Sequence, residues 1–119
     1  MASFAIAMVV ARDLARSRTF YKDVLGLPLL TDAAPDWVDF DLGGGSRLGL
    51  HAQGPHMPTV PGSLQLGFRV DNVDKFVTDA RTLGVPVLQE PFNESFGRLA
   101  VISDPDGYPV QILGPLAGK

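Results

Sequence analysis

The chain has 119 residues, of which 45% are hydrophobic and 19% charged, and its formal net charge is −3. This composition excludes a largely disordered chain, and the negative charge disfavours nucleic acid and anionic membrane surfaces as partners. The sequence contains no cysteine, which excludes disulfides, thiolate metal sites and a cysteine nucleophile. Because no signal-peptide pattern is present, we expect a cytoplasmic protein.

The first half of the sequence predicts a strand, a helix and three further strands. An apolar run at 4–11 is typical of a buried strand. Asp13 can cap the start of a helix at 14–25, and Gly26 can end it. Three short strands are then predicted between turn-like segments, at 27–31, 37–42 and 47–51.

The second half repeats this order of elements. A stretch rich in proline and glycine at 54–62 predicts a linker, because such a stretch cannot continue a helix or a central strand. The predicted elements after it are a strand at 63–70, a helix at 73–83 and strands at 85–90, 98–103 and 108–113. Residues 24–30 (VLGLPLL) match residues 82–88 (TLGVPVL), which indicates an internal duplication. We therefore predict an α+β fold of two tandem βαβββ modules, at about 1–53 and about 63–119.

Three segments carry a family likeness, namely residues 13–17 (DLARS), 20–27 (FYKDVLGL) and 104–110 (DPDGYPV). They resemble the opening and closing segments of the glyoxalase / bleomycin resistance protein / extradiol dioxygenase superfamily, also called the vicinal oxygen chelate superfamily. The likeness extends over the whole chain and implies one domain at 1–119, with a cup-shaped mixed sheet and helices on its outside. It also implies a homodimer, in which each cup is built within one chain or across two.

Alternation along the strands separates an apolar face from a mixed face. We expect the apolar faces to meet the helices and the mixed faces to line the cup, where Gly49 and Gly67 would leave room for a ligand. The candidate ligand-binding residues on or beside the mixed faces are Ile6, Trp37, Asp39, Arg47, Gly49, His51, Gln65, Gly67, Arg69, Phe92, Phe96 and Gln111.

Several of these candidates have a structural alternative. Trp37 can form an aromatic wall for a flat ligand, or it can pack in the core or in a dimer interface. Arg47 and Arg69 can clamp a carboxylate or phosphate, or they can form salt bridges at the rim. Phe92 and Phe96 are predicted in a loop that covers the mouth of the cup.

The resemblance also identifies positions for metal ligands. In metal-binding relatives the ligands come from the first and last strands of each module, and the matching positions here are Ile6, Gln65, Gln111 and either Gly49 or His51. Isoleucine cannot ligate and glutamine offers only a neutral amide oxygen, so His51 is the one strong donor. The glutamines can instead bond each other or a water, and His51 can face solvent. We therefore expect no cofactor, and a divalent metal is disfavoured.

These observations favour one function and leave two others open. The first is a metal-independent small-molecule binding protein of bleomycin-resistance type, which holds an aromatic or amphipathic ligand in the cup and confers antibiotic resistance. The alternative is a metal-dependent lyase or dioxygenase of this superfamily with a reduced metal site. The third is a structural or regulatory dimer with a vestigial pocket. No catalytic triad or phosphate-binding glycine motif is recognisable in the sequence.

Overall fold

The computed structural model describes residues 1, 3–55, 59, 61 and 64–116 of the chain. They form two compact units, Met1–Val60 and Pro61–Lys119. Each unit folds as a βαβββ module with its own four-stranded mixed sheet, which confirms the predicted α+β class and the tandem repeat. Much of the predicted linker, namely residues 56–58, 60 and 62, lies outside the described residues. No helix among the described residues is long and apolar enough to cross a membrane.

The first unit contains one helix and one mixed sheet. Its strands and helix are β1 (Ile6–Ala11), α1 (Leu14–Thr19), β2 (Leu29–Ala33), β3 (Trp37–Gly43) and β4 (Ser46–Ala52). A π-helical turn over Phe20–Val24 continues α1. The strand order is β1-β4-β3-β2, in which β1 runs parallel to β4 and the other pairs are antiparallel.

Local chemistry sets the ends of this helical segment as predicted. Oδ1 of Asp13 accepts a hydrogen bond from a backbone N–H of the first turn at 3.2 Å. Gly26 follows the last turn with a φ of +73°, a conformation that favours glycine. The backbone N–H of Leu27 donates to the carbonyl of Tyr21 at 3.0 Å. Because Leu27 still belongs to the helix end, β2 starts at Leu29, later than the strand predicted at 27–31.

The face of the first sheet that meets α1 is apolar. Val9, Phe40, Leu48 and Leu50 are buried there, together with Tyr21 from the helical segment. Burying one such side chain contributes roughly 1.5–3 kcal/mol relative to leaving it exposed. This layer therefore fixes which residues of β1 to β4 point toward the helix and which point away from it.

The second unit has the same plan. Its elements are β5 (Leu66–Arg69), α2 (Val73–Thr82), β6 (Val87–Glu94), β7 (Gly97–Ser103) and β8 (Pro109–Gly114). The strand order is β5-β8-β7-β6, with β5 parallel to β8. Asn72 caps α2 by accepting from the backbone N–H of Lys75 at 3.0 Å, and Gly84 follows the helix with a φ of +83°.

Two strands of this unit differ from the prediction. β6 continues past the predicted 85–90, so Phe92 lies in the strand and only Phe96 lies in the turn to β7. The predicted covering loop is therefore a tight hairpin. Pro91 follows the predicted strand end, and it lies on an edge strand where the register with β7 is irregular, so its missing N–H is tolerated. β5 starts at Leu66, so Gln65 precedes it.

Candidate functional site

Six of the candidate residues lie together in the first unit, on the side of its sheet away from α1. The register pairs Ile6 with Arg47, Asp39 with Gly49 and Trp37 with His51. We call this side the open face, and its residues are Ile6, Met8, Val10, Thr31, Trp37, Asp39, Arg47, Gly49 and His51. The sequence alternation thus placed these six candidates on one surface.

The indole of Trp37 fills the space above Gly49. A Cβ added at Gly49 would lie 2.2 Å from Cη2 of Trp37, so no other residue can stand there without moving the ring. The ring also meets His51 edge to face, with centroids 6.1 Å apart and an interplanar angle of 74°. The room that Gly49 provides is therefore taken by Trp37, whereas the sequence had suggested that it is left for a ligand.

A buried carboxylate holds the indole in place. Oδ2 of Asp39 accepts hydrogen bonds from Nε1 of Trp37 at 3.0 Å and from the guanidinium of Arg47 at 3.2 Å. Asp39 is only 1% exposed, whereas half of the Arg47 side chain is exposed. Burial acts to raise the pKa of Asp39, but the hydrogen bonds from Trp37 and Arg47, the nearby hydroxyl of Thr31 and the charge of Arg47 together outweigh it and lower the pKa. Asp39 therefore stands as a carboxylate beneath Trp37 and Arg47.

The other oxygen of this carboxylate is unsatisfied. Oδ1 of Asp39 is buried and has no hydrogen-bond partner among the residues that the structure describes. Most buried polar atoms in proteins have a partner, so an orphaned carboxylate oxygen stands out as a point of interaction.

An apolar strip borders this polar group. Ile6 and Met8 on β1 are 42% and 39% exposed, which is unusual for large aliphatic side chains within a sheet. Met8 pairs with Gly49 across the strands, so it lies next to the position that Trp37 covers. Met8 was absent from the candidate residues, although its alternation with Ile6 was the signal that could have identified it.

His51 has one ring nitrogen in contact with the backbone. Its Nδ1 lies 2.6 Å from the carbonyl oxygen of Ala52. Because a carbonyl oxygen only accepts, Nδ1 carries the proton, and Nε2 is the nitrogen left for another partner. His51 is half-buried beside Trp37, so it borders the aromatic surface at the end opposite to Ile6 and Arg47.

The remaining candidates lie in the second unit. Gly67 pairs with Gln111, and a Cβ added at Gly67 would lie 3.2 Å from Oε1 of that glutamine. Gln65 and Arg69 are exposed at the two ends of β5. Arg69 is exposed and forms no hydrogen bond or ion pair with another residue within the described ranges. Phe96 is 68% exposed at the hairpin turn.

A separate cavity of about 480 Å³ lies on the other side of the first sheet, beside the start of α1. Its lining includes Leu14, Val38 and the ion pair between Nε of Arg18 and Oδ2 of Asp32, which are 3.0 Å apart. None of the candidate ligand-binding residues lines this cavity. It therefore provides positions for control substitutions that leave the open face intact.

Two tandem modules of this topology, together with the motifs quoted above, define the class of protein. The chain belongs to the Glyoxalase/Bleomycin resistance protein/Dioxygenase superfamily, whose family model matches residues 3–112.

Three comparisons with individual proteins are informative. The chain is 40% identical over 62 residues to the Mycobacterium tuberculosis protein CFP32, which is described as a glyoxylase candidate. This match covers 51% of the present chain but only 24%, about a quarter, of the length of CFP32. It is 32% identical to TnmS3, an antibiotic binding protein from Streptomyces sp. CB03234, with a TM-score of 0.78 and 97% of each chain covered. It shares the fold of lactoylglutathione lyase from Agrobacterium tumefaciens, at 23% identity and a TM-score of 0.74, with 96% of this chain and 94% of that chain covered.

The superfamily includes metal-binding members, but the first unit does not supply a fitting donor set. Ile6 has no donor atom, and Trp37 occupies the space in which a side chain at position 49 would stand. Ile6 pairs with Arg47, whereas His51 pairs with Val10, four residues along β1. At ~3.3 Å per residue this separates positions 6 and 51 by ~13 Å, too far to share one ion. The described residues contain no group of three or more His, Asp or Glu side chains suited to a metal ion.

Proposed function

We propose that this protein binds a flat aromatic or amphipathic small molecule on the open face, without a metal cofactor. One observation carries the proposal: the indole of Trp37, held by Asp39 and supported by Gly49, lies beside the exposed side chains of Ile6 and Met8. A preformed apolar surface with a few polar groups is the usual form of a small-molecule site. The likeness to TnmS3, an antibiotic binding protein, supports a ligand of this kind.

The size of this surface limits the affinity that it provides. A flat ligand that buries ~150 Å² of apolar area gains ~4 kcal/mol at ~25 cal/mol per Å². Part of that gain is lost to the entropy of association, so apolar contact alone gives weak binding. The polar groups at the edge of the surface, Arg47 and Asp39, must therefore provide much of the selectivity.

The single tryptophan makes the proposal directly testable, because Trp37 reports any ligand that stacks on it. We expect saturable quenching of Trp37 fluorescence by bleomycin or by anthraquinone-2-sulfonate. Met8→Glu should weaken the binding of the active compound by about tenfold or more, because it places a charge in the apolar strip. The control Leu83→Glu alters a 65% exposed side chain beside α2 and should leave binding unchanged.

Two further variants separate the open face from the other cavity. Ala15→Leu narrows the cavity beside α1 and should not change the affinity. If it weakens binding while Met8→Glu does not, the ligand occupies that cavity and the assignment to the open face is wrong. Absence of saturable quenching, and of any thermal stabilisation by either compound, would refute the proposed function.

The metal-dependent alternative has its own discriminating measurement. Elemental analysis of protein purified without chelator is expected to show no stoichiometric Zn, Ni, Mn or Fe. A stoichiometric metal that disappears in His51→Ala would replace the present proposal with a lyase or dioxygenase.

Three further expectations are also parts of this proposal: the homodimer and the role in antibiotic resistance, which the resemblance implies, and the cytoplasmic location, which is expected because the sequence shows no signal-peptide pattern. Sedimentation velocity tests the dimer, and fractionation of cells that express the chain tests the location. A raised tolerance of those cells to the antibiotic that binds would support the role in resistance.

A further inference from the structure

The buried carboxylate of Asp39 has two oxygens in different situations. Oδ2 accepts from Trp37 at 3.0 Å and from Arg47 at 3.2 Å, whereas Oδ1 has no partner among the described residues. The Asp39 side chain is only 2% exposed, so bulk solvent does not satisfy the free oxygen. A buried acceptor without a donor is unfavourable, and any molecule that supplies a donor there gains that interaction.

The charge balance around Asp39 decides what kind of donor fits. The guanidinium of Arg47 already neutralises the carboxylate at 3.2 Å. A cationic ligand would place a second positive charge beside this guanidinium, and like charges at such distances repel. A neutral donor, a hydroxyl or an aromatic or amide N–H, adds a hydrogen bond without that penalty.

The groups that cover Asp39 allow such access. The Arg47 side chain is 50% exposed and holds the carboxylate through one hydrogen bond of 3.2 Å. An exposed arginine with one contact changes its rotamer at small cost. Trp37 is packed against Gly49 and bonded to Oδ2, so it stays in place as the surface on which the ligand ring stacks.

We propose that the ligand of the open face is a neutral hydrogen-bond donor, whose hydroxyl or N–H bonds Oδ1 of Asp39 while its ring lies against Trp37. This inference rests on the proposed function and narrows it, since it names the polar group that the bound aromatic molecule carries.

Three small aromatic probes test the inference by isothermal titration calorimetry. Indole carries an N–H donor, 1-methylindole lacks it, and 3-methylindole keeps the donor while adding a methyl group of equal size. We expect indole and 3-methylindole to bind about tenfold more tightly than 1-methylindole, the gain expected from one hydrogen bond to a charged acceptor. Equal affinity of all three probes overturns the inference.

Asp39→Asn provides the matched variant. Its amide oxygen must accept from Trp37 and Arg47, which turns the amide NH₂ to the place of Oδ1 and replaces an acceptor with a donor. The difference between indole and 1-methylindole should then fall to within about twofold. If it stays tenfold, the donor is recognised elsewhere and the inference is wrong.

A second variant covers the case in which Asp39→Asn does not fold. Arg47→Met keeps Asp39 and removes its cover, so the preference for indole over 1-methylindole should persist or grow; its loss would contradict the inference. If no indole binds while bleomycin or anthraquinone-2-sulfonate still quenches Trp37, the donor inference fails and the proposed function stands. If no compound binds, both fail.

Discussion

Replacing Gly49 by alanine tests the central contact of the open face. The added Cβ would lie 2.2 Å from Cη2 and 2.7 Å from Cζ2 of Trp37, far inside van der Waals contact. The indole must therefore leave its place above β4. When it leaves, the hydrogen bond from Nε1 of Trp37 to the buried carboxylate of Asp39 is lost.

The size of the effect follows from these contacts. Overpacking of a filled site costs about 1–3 kcal/mol, and a lost hydrogen bond to a charged group costs about 1.5–3 kcal/mol. Replacing a strand glycine regains about 0.5–1 kcal/mol of chain entropy. We therefore expect Gly49→Ala to lower the free energy of unfolding by about 2–4 kcal/mol. Emission of Trp37, the single tryptophan, should shift to longer wavelength because the ring becomes more exposed.

Gly67→Ala is the matched control, since it also adds a methyl group to a strand glycine. The nearest atom to its Cβ is Oε1 of Gln111 at 3.2 Å, the end of a flexible side chain that can move aside. Urea unfolding followed by far-UV circular dichroism compares the two variants. Equal stabilities of Gly49→Ala and Gly67→Ala, with unchanged Trp37 emission in both, would show that the indole is not seated as described.

Two further substitutions test electrostatic contacts, with Lys75→Met as their control because Lys75 is 72% exposed in its pair with Asp79. Asp39 has a lowered pKa, so its stabilising effect is present above its usual pKa and is lost as the pH falls through the lowered value. Arg47→Met removes one cause of the lowering, so this contribution becomes smaller and its loss is complete at a higher pH. Urea unfolding between pH 7 and about pH 3 should therefore show a smaller acid-induced drop in the free energy of unfolding than in the unchanged protein. Arg98→Lys should lower the Tm more than the control substitution does. Nε and a terminal nitrogen of Arg98 donate hydrogen bonds to the two carboxylate oxygens of Asp74, at 2.7 and 3.0 Å, and lysine cannot make this paired contact.

Features that depend on local chemistry could be predicted from the sequence. The cap by Asp13 and the positive φ of Gly26 and Gly84 follow from residue types that stabilise helix ends, and the repeated motif gave the order of elements. The extent of β6 could not be predicted, because whether Pro91 ends a strand depends on pairing. On an edge strand with irregular register the proline is tolerated, and only the fold reveals this.

The site was predictable as a surface but not as a set of contacts. Alternation assigns Arg47, Gly49 and His51 to one face, and strand pairing brings Asp39 beside them. Alternation gives no rotamer, however, and the space above Gly49 could hold a ligand or a neighbouring ring. Trp37 takes this space because its ring lies over Gly49 of the neighbouring strand while its Nε1 reaches Asp39, two residues further along its own strand, and alternation does not specify the rotamer that does both.

Gly49 and Ile6 both shape the aromatic surface of the first unit. A larger side chain at position 49 would occupy the space that the indole of Trp37 fills, so glycine at this position leaves room for the ring. Position 6 is one of those that the family resemblance matches to a metal ligand, and here an isoleucine without a donor atom continues the apolar surface. Both residues therefore enlarge the surface that the proposed binding of a flat ligand without a metal requires.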